Sequence, residues 1–281
     1  MKKISPHLFG GKLPFFFAAP AFIWQVLFFY LPILFMLSTS FYQIDSYSSF
    51  FQLHYAIIAL RSFFLAAATC SLCLFLGYPI AYFLSFIAGR TKNFFLFLLI
   101  VPFWTNFLLH IYAWFFVLER GGFLNSFLTW LGLIQEPIQF LNSQFAILLV
   151  MVYCYLPFMA LPLYSVLEKF DRRLIEASYD LGATAWQTFI RITLPLITPG
   201  IKSGLFLVFV PAFGDFVIPA LLGGDRSMYI GSVIVHYVLG THTLVRGVAF
   251  TVTVSLLLAL IVFASSIISN FLTIRKKMGK R

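Results

Sequence analysis

The sequence predicts an all-α membrane protein with six transmembrane helices, and three observations carry that prediction. The chain is 61% hydrophobic and 10% charged with mean hydropathy +0.96, far from the composition of a water-soluble domain. Six apolar runs reach the ~20 residues needed to cross about 30 Å of hydrocarbon: Leu13–Phe41, Ser62–Ala88, Phe94–Leu118, Gln144–Leu167, Leu196–Leu222 and Gly247–Ile274. With the N-terminus inside, 14 of the 19 basic residues fall in cytosolic segments and four (Arg61, Arg120, Arg226, Arg246) in outer loops, with Lys202 near a membrane edge. That bias is the positive-inside pattern and places both termini in the cytosol. The net charge of +10 therefore reads as orientation and attraction to anionic membrane lipid, not as a nucleic-acid surface.

The first run follows Lys2 and Lys3 as a signal peptide would. It is too long for the 7–15 residue apolar core of such a peptide and lacks a small-residue cleavage site, so it is read as the first span. Residues 1–12 form a cytosolic tail, residues 13–274 the membrane domain, and residues 275–281 a basic cytosolic tail.

The second run holds Cys70 and Cys73 and the fourth holds Cys154. A lone C-x-x-C in lipid, without further Cys or His ligands, reads as small packing residues.

Prolines interrupt the first five runs: Pro14, Pro20 and Pro32, then Pro79, Pro102, Pro157 with Pro162, and Pro199 with Pro211 and Pro219. Broken backbone at membrane depth needs neighbouring protein or a wet cavity to satisfy its freed carbonyls. Runs three to five are therefore the candidates to line a path, and the proline-free sixth reads as a packing helix.

Between runs three and four, Phe123, Phe127, Trp130, Leu131 and Ile134 recur at helical spacing around Asn125 and Ser126, as in a helix lying on the outer membrane face. The loop Gly223–Arg246, opened by Gly223-Gly224-Asp225-Arg226, is a second outer segment.

The segment Glu168–Pro195 carries eight of the chain's 28 formal charges and predicts two short helices around a glycine. Asp171 can cap a helix from Arg172 to Leu181, its carboxylate opposing the positive end of the dipole. Leu174, Ala177, Ser178 and Leu181 then share a face, with Glu176, Tyr179 and Asp180 away from it. Gly182 stands where a left-handed residue stops a helix. Thr184 and Gln187 have capping-box spacing and open a second helix with Trp186, Phe189 and Ile190, predicted to end at Pro195. A DNA-binding helix–turn–helix is excluded, since neither a surrounding domain nor a basic recognition face is present.

One acidic residue, Asp215, falls within a span, beside Pro211, Gly214 and Pro219. A charge at that depth costs several kcal/mol unless paired or hydrated, so it is a candidate path residue, the alternatives being a position near the outer surface or a partner-subunit ion pair. His110, with Trp104, Asn106 and Tyr112, is a second candidate lining in the third run, against the reading of a satisfied core histidine.

The spacing Glu176-Ala177-Ser178, Gly182, Ile192, Leu194-Pro195 resembles the E-A-A-x3-G-x9-I-x-L-P signature of the membrane subunits of binding-protein-dependent ABC importers, with Ser178 in place of the second alanine. The six spans with one such loop before the fifth extend the resemblance over essentially the whole chain. Phe158-Met159-Ala160-Leu161-Pro162-Leu163-Tyr164-Ser165 and Asp180-Leu181-Gly182-Ala183 with Gln187-Thr188-Phe189-Ile190-Arg191 resemble the B-type permeases of spermidine/putrescine importers.

The resemblance implies a type I ABC importer permease architecture in a bacterial cytoplasmic (inner) membrane, with the cytosolic helix pair docking into a cleft of a separate ATPase. Glu176, Ala177, Ser178 and Gly182 would couple to that ATPase. The implied partners are a homologous second permease subunit, a homodimer of ATP-binding subunits carrying ATP and magnesium, and an extracytoplasmic solute-binding protein. No cofactor is expected on this chain, which has no G-x-x-x-x-G-K-[ST] loop and is not expected to be an enzyme. The alternatives are the same architecture with iron, thiosulfate or phosphonate as cargo, and an ATP-independent secondary transporter or channel. The last would be expected to show an internal repeat or several intramembrane ionisable groups.

Overall fold

The computed structural model describes residues 13–41, 53–224, 228–240 and 244–278, and among these every regular element is helical. Among the described residues six stretches are long and apolar enough to cross a membrane: Ala18–Phe41, Leu53–Ile87, Phe107–Trp130, Gln144–Leu167, Ala185–Gly214 and Arg246–Ala264. The whole N-terminal tail (residues 1–12), the tip of the loop opened by Gly223 (Asp225 and Arg226) and the last three residues lie outside the described residues.

The chain divides into two compact units, residues 1–52 with 236–260 and residues 53–235 with 261–281. In the first, α1 (Leu13–Gln25) runs through a π-helical turn, Val26–Tyr30, into α2 (Leu31–Phe41). Proline cannot donate its backbone N–H and its ring crowds the carbonyl four residues back. The wider π turn takes in Phe28, the residue whose carbonyl Pro32 would strike. The same device recurs before Pro195, where the π turn Phe189–Thr193 takes in Arg191. Apart from Ser40, the described side chains of this first span are exposed or partly exposed, as suits a helix bathed in lipid or covered by another subunit. In the same unit Gly247 lies against Tyr237, whose Cβ would be 3.0 Å from an added methyl.

The second unit is built on α3 (Leu53–Tyr82), α7 (Gln144–Leu167) and α10 (Leu194–Gly214), with α7 packed against both of the others. Between α3 and α7 lie α4 (Lys92–Trp104), α5 (Phe107–Leu118) and α6 (Phe123–Trp130). Between α7 and α10 lie α8 (Arg173–Asp180) and α9 (Ala185–Thr188). Beyond α10 are α11 (Val217–Leu222), α12 (Ile230–Leu239) and α13 (Leu244–Met278), the last two divided between the two units.

Within lipid there is little hydrophobic drive between helices, so close approach through small residues and internal hydrogen bonds must hold the bundle. Gly200 and Gly204 supply that approach on α10: added methyls would lie 3.0 Å from the Pro162 carbonyl oxygen and 2.6 Å from the Met159 sulfur. Gly77 of α3 meets the other side of Met159, at 3.1 Å. Met151, Met159 and Leu163 are fully enclosed, and Cys73 is buried with its thiol donating to the Val152 carbonyl at 3.7 Å.

Three sequence expectations are corrected here. The third run is not one helix: α4 ends at Trp104 and α5 starts at Phe107, with Thr105 and Asn106 extended between them. At 1.5 Å per residue each half is about 20 Å long, short of the ~30 Å hydrocarbon thickness. The fifth run breaks after Gly214, where Asp215 is extended and α11 begins at Val217. Pro195 does not end the second short helix, because the π turn absorbs it; helix continues without interruption from Ala185 to Gly214. The amphipathic helix expected between runs three and four is present as α6, with Phe123, Phe127 and Trp130 exposed, while Asn125 is buried and pins the following loop by exchanging hydrogen bonds with both Ile138 backbone groups at 2.9 Å. The loop after Gly223 contains a helix of its own, α12, whose Ile230 N–H donates to the buried Ser62 hydroxyl at 2.9 Å.

Candidate functional site

The motif-bearing segment folds as a helix pair with a defined turn. Asp171 accepts from the Arg173 N–H at 3.0 Å, so the expected carboxylate cap is made, with α8 starting one residue later than the spacing predicts. At the other end the Ala183 N–H donates to Ser178 O at 3.0 Å and the Gly182 N–H to Tyr179 O at 2.9 Å, the two bonds of a Schellman ending. Gly182 has φ +78°, a conformation that a Cβ strains even though nothing crowds the site. The capping box is complete: Thr184 Oγ1 accepts from the Gln187 N–H at 3.3 Å, and Gln187 Oε1 accepts from the Thr184 N–H at 3.0 Å.

Ser178 does more than keep a small side chain at its position. It is buried, donates to the Ile175 carbonyl at 2.7 Å and meets the buried Thr188 hydroxyl at 2.8 Å, which ties α8 to α9. Sequence reasoning did not single out Thr188, whose partner lies ten residues away across the turn. Ser178→Ala should strand the Thr188 hydroxyl and lower thermal stability by about 1 kcal/mol in a melting assay, whereas the double change with Thr188→Val should recover part of it.

The rest of the motif face is open. Leu174 is 46% and Leu181 88% exposed, Glu176 and Ala177 are exposed beside them, and Trp186 stacks on Phe189 with 68% of its surface free. The predicted apolar stripe exists, but among the residues assigned to it only Ser178 packs inward; Ile175 and Tyr179 face a cleft of about 380 Å³ shared with Tyr78, Pro79 and Thr193.

Arg172, which sequence reasoning treated as one charge among several, anchors the pair. Its guanidinium donates to the carbonyls of Ser85 and Phe86 at 3.0 and 2.9 Å, and lies 4.9 Å from the centre of the Phe86 ring. Those carbonyls belong to the terminal π turn, Phe83–Ile87, where a helix leaves its last acceptors free and its dipole favours a cation. Lys92 and Glu168 pair at 2.8 Å and join the start of α4 to the end of α7. The hydrogen bond from Lys92, then that from the Tyr164 hydroxyl, holds the Glu168 carboxyl below its ordinary value, so this exposed link is complete at neutral pH and is lost as pH falls through the lowered value.

Both helix breaks attach to α7. Asp215 accepts from the Val217 N–H at 2.9 Å, and from the Ile218 N–H at 3.4 Å, as the cap of α11, and from the Tyr155 hydroxyl at 2.9 Å. Its charge is thus matched by the positive end of a helix and a phenol. At the other break, Asn106 caps α5 through the Leu108 N–H at 2.8 Å. Thr105 donates to the Pro102 carbonyl at 2.9 Å; His110 Nε2 lies 3.1 Å from that carbonyl and contacts the Thr105 hydroxyl, while its Nδ1 lies 3.1 Å from the Tyr153 hydroxyl. His110 therefore seals a broken helix and also lines a cavity of about 240 Å³ with Thr105, Phe107, Tyr153, Tyr155 and Phe158. Trp104 and Tyr112 are off that cavity, on the exposed surface of α4 and α5, at 75% and 47% exposure.

Residues 74–275 match the family described as binding-protein-dependent transport system inner membrane component. The chain is 41% identical over 249 residues to the spermidine/putrescine transport system permease protein PotB of Escherichia coli strain K12, covering 84% of this chain and 90% of that protein. Its fold is similar to a chain in the crystal structure of a bacterial ABC transporter involved in the import of the acidic polysaccharide alginate, with TM-score 0.71 at 20% identity over 92% of this chain and 95% of that one. A chain in the bacterial alginate ABC transporter in complex with an alginate pentasaccharide-bound periplasmic protein is similar at TM-score 0.65 and 18% identity over 89% of this chain and 91% of that one. The chain belongs to the binding-protein-dependent transport system inner membrane component family.

Proposed function

We propose, from that family membership, that this chain is the permease subunit of an ATP-driven importer that carries the polyamines spermidine and putrescine across the bacterial cytoplasmic membrane, with both termini in the cytosol. The cargo assignment is supported by the 41% identity to a permease named for spermidine and putrescine. The observation that carries the transport mechanism is the open apolar face of α8, Leu174, Ala177 and Leu181, on a helix pair fixed by Arg172 and the Schellman turn. An exposed apolar face on a fixed element is a surface made for a partner. The partner here is an ATP-binding subunit, one of a homodimer that holds ATP and magnesium; Glu176 provides a polar contact at its cleft and Gly182 the turn.

The 30 residues from Ala185 to Gly214 form one unbroken rod of about 45 Å, and α9 at its start belongs to the docking pair. Movement of the pair, driven by closure of the two ATPases, reaches the Asp215 break directly along this rod. The break holds α11 by hydrogen bonds rather than by continuous helix, so α11 can reorient there without unwinding α10. The passage is completed by a homologous second permease, which covers the exposed Trp104 and Tyr112, and a solute-binding protein delivers cargo from outside. The alginate transporter bound to its periplasmic protein supports that last partner.

Uptake of labelled spermidine and putrescine is to be compared in cells lacking the gene and in restored cells, with excess iron, amino-acid and sugar competitors. Uptake lost on deletion and restored only by a copy with Glu176 and Gly182 intact is the expected result. Unchanged polyamine uptake in cells without a redundant system removes the polyamine assignment.

A further inference from the structure

The helix that begins as α3 runs unbroken through its π turn from Leu53 to Ile87, 35 residues or about 52 Å, and is fastened near both ends. At Ser85 and Phe86 its carbonyls accept two charge-assisted hydrogen bonds, at 3.0 and 2.9 Å, from Arg172 at the start of α8. Beside that link the docking pair faces α3 across the open cleft of about 380 Å³ and touches it edge to face through Phe189 and Tyr78. At the other end, about 35 Å along the helix, the buried Ser62 hydroxyl accepts from the Ile230 N–H at 2.9 Å. The next residue, Gly231, is buried so close to the Gly214 and Asp215 carbonyls that a methyl there would strike both oxygens. Through the first residues of α12, α3 is therefore tied to the same break that the rod from Ala185 to Gly214 reaches.

Two stiff helices thus share both end points. One carries movement of the docking pair to Asp215 through continuous backbone, the other through hydrogen bonds at each end. A break pushed by α10 alone would take α12 along with it. With α3 holding the start of α12, displacement of the pair slides one rod past the other, and the break between them takes up the difference. We propose that α3 is a second strut of the transport stroke, with Arg172 and Ser62 as the positioning residues that fasten it, so that the docking pair shears α10 against α3 and opens the Asp215 break. The proposal rests on the coupling role given above to the helix pair, and the two-state element biased from both sides is the break itself.

The full transporter is reconstituted in liposomes, and ATP hydrolysed per polyamine imported is measured. Arg172→Gln, which loses the cation and its fork of donors, should raise that ratio about tenfold, and Ser62→Ala, far from the docking pair, about fivefold. Arg172→Lys keeps the cation and should recover most of the loss. Release at either end frees the same helix, so the double variant should be no worse than Arg172→Gln alone. A merely structural role lowers uptake and hydrolysis together and leaves the ratio unchanged, and two unrelated roles give additive effects; either result overturns the strut. Spin labels at Ser203→Cys and Ala220→Cys, exposed positions on the two sides of the break, read the stroke without reference to cargo once Cys70, Cys73 and Cys154 are changed to Ala. Their separation by pulsed EPR should change when ATP binds, and Arg172→Gln should abolish most of that change. An equal change in the variant overturns the strut and leaves the docking reading, whereas no change in either protein removes both. Liposomes that take up no polyamine lose the cargo assignment alone, and the spin-label distance then decides the strut.

Discussion

Glu176→Lys and Gly182→Asp should each cut ATP-driven uptake by about 30-fold or more while the protein remains inserted and assembled with its second permease. Both positions are exposed on the helix pair, so neither change unfolds the membrane helices. Reversing a charge that sits in a protein interface typically costs 2–5 kcal/mol, and about 2 kcal/mol already corresponds to 30-fold. Gly182 acts through the backbone: at φ +78° an aspartate is strained and adds a charge beside Leu181. Uptake in reconstituted liposomes, with membrane-fraction blotting as the insertion control, measures both. Normal uptake by both variants would remove the coupling role from this turn.

Gly200→Leu and Gly204→Leu should be the substitutions that most disturb the contact between α7 and α10. The added side chain at Gly200 meets the backbone of Pro162 and Leu163 at 3.0 and 3.3 Å, which cannot swing aside, so α7 and α10 must part. Overpacking of this kind costs about 1–3 kcal/mol in well-packed cores, and in lipid the parted helices regain little by burial elsewhere. Gly204 meets the flexible Met159 sulfur first, so its cost should be the smaller of the two, and Met159→Ala should partly rescue Gly204→Leu but not Gly200→Leu. Thermal aggregation of the detergent-solubilised protein checks this order.

The spans were legible because the length of hydrocarbon to be crossed leaves a strong mark on composition, and the turn at Gly182 because Schellman and capping-box chemistry is local. What failed to show was every feature that depends on a distant partner. Asp215 reads as a charge inside a span; in the structure it caps a new helix, and the only local sign was an N-cap residue just after Gly214. Pro195 reads as a stop because proline removes a hydrogen bond, but the preceding π turn moves the crowded carbonyl and lets the helix run on. The period of α8 gives the stripe but not what covers it: Leu174 and Leu181 are exposed in this chain. Arg172 could not be singled out, since the carbonyls it caps are 86 and 87 residues away in sequence.

The central claim, that the apolar face of α8 is the seat of a separate ATPase, is tested most directly at Leu181, which is 88% exposed in this chain alone. Leu181→Cys should react with a water-soluble maleimide at the rate of a free thiol in the isolated permease pair, and at least about tenfold slower once the ATP-binding subunits are added. Equal labelling in the two preparations, with the ATP-binding subunits shown to be bound, would contradict it.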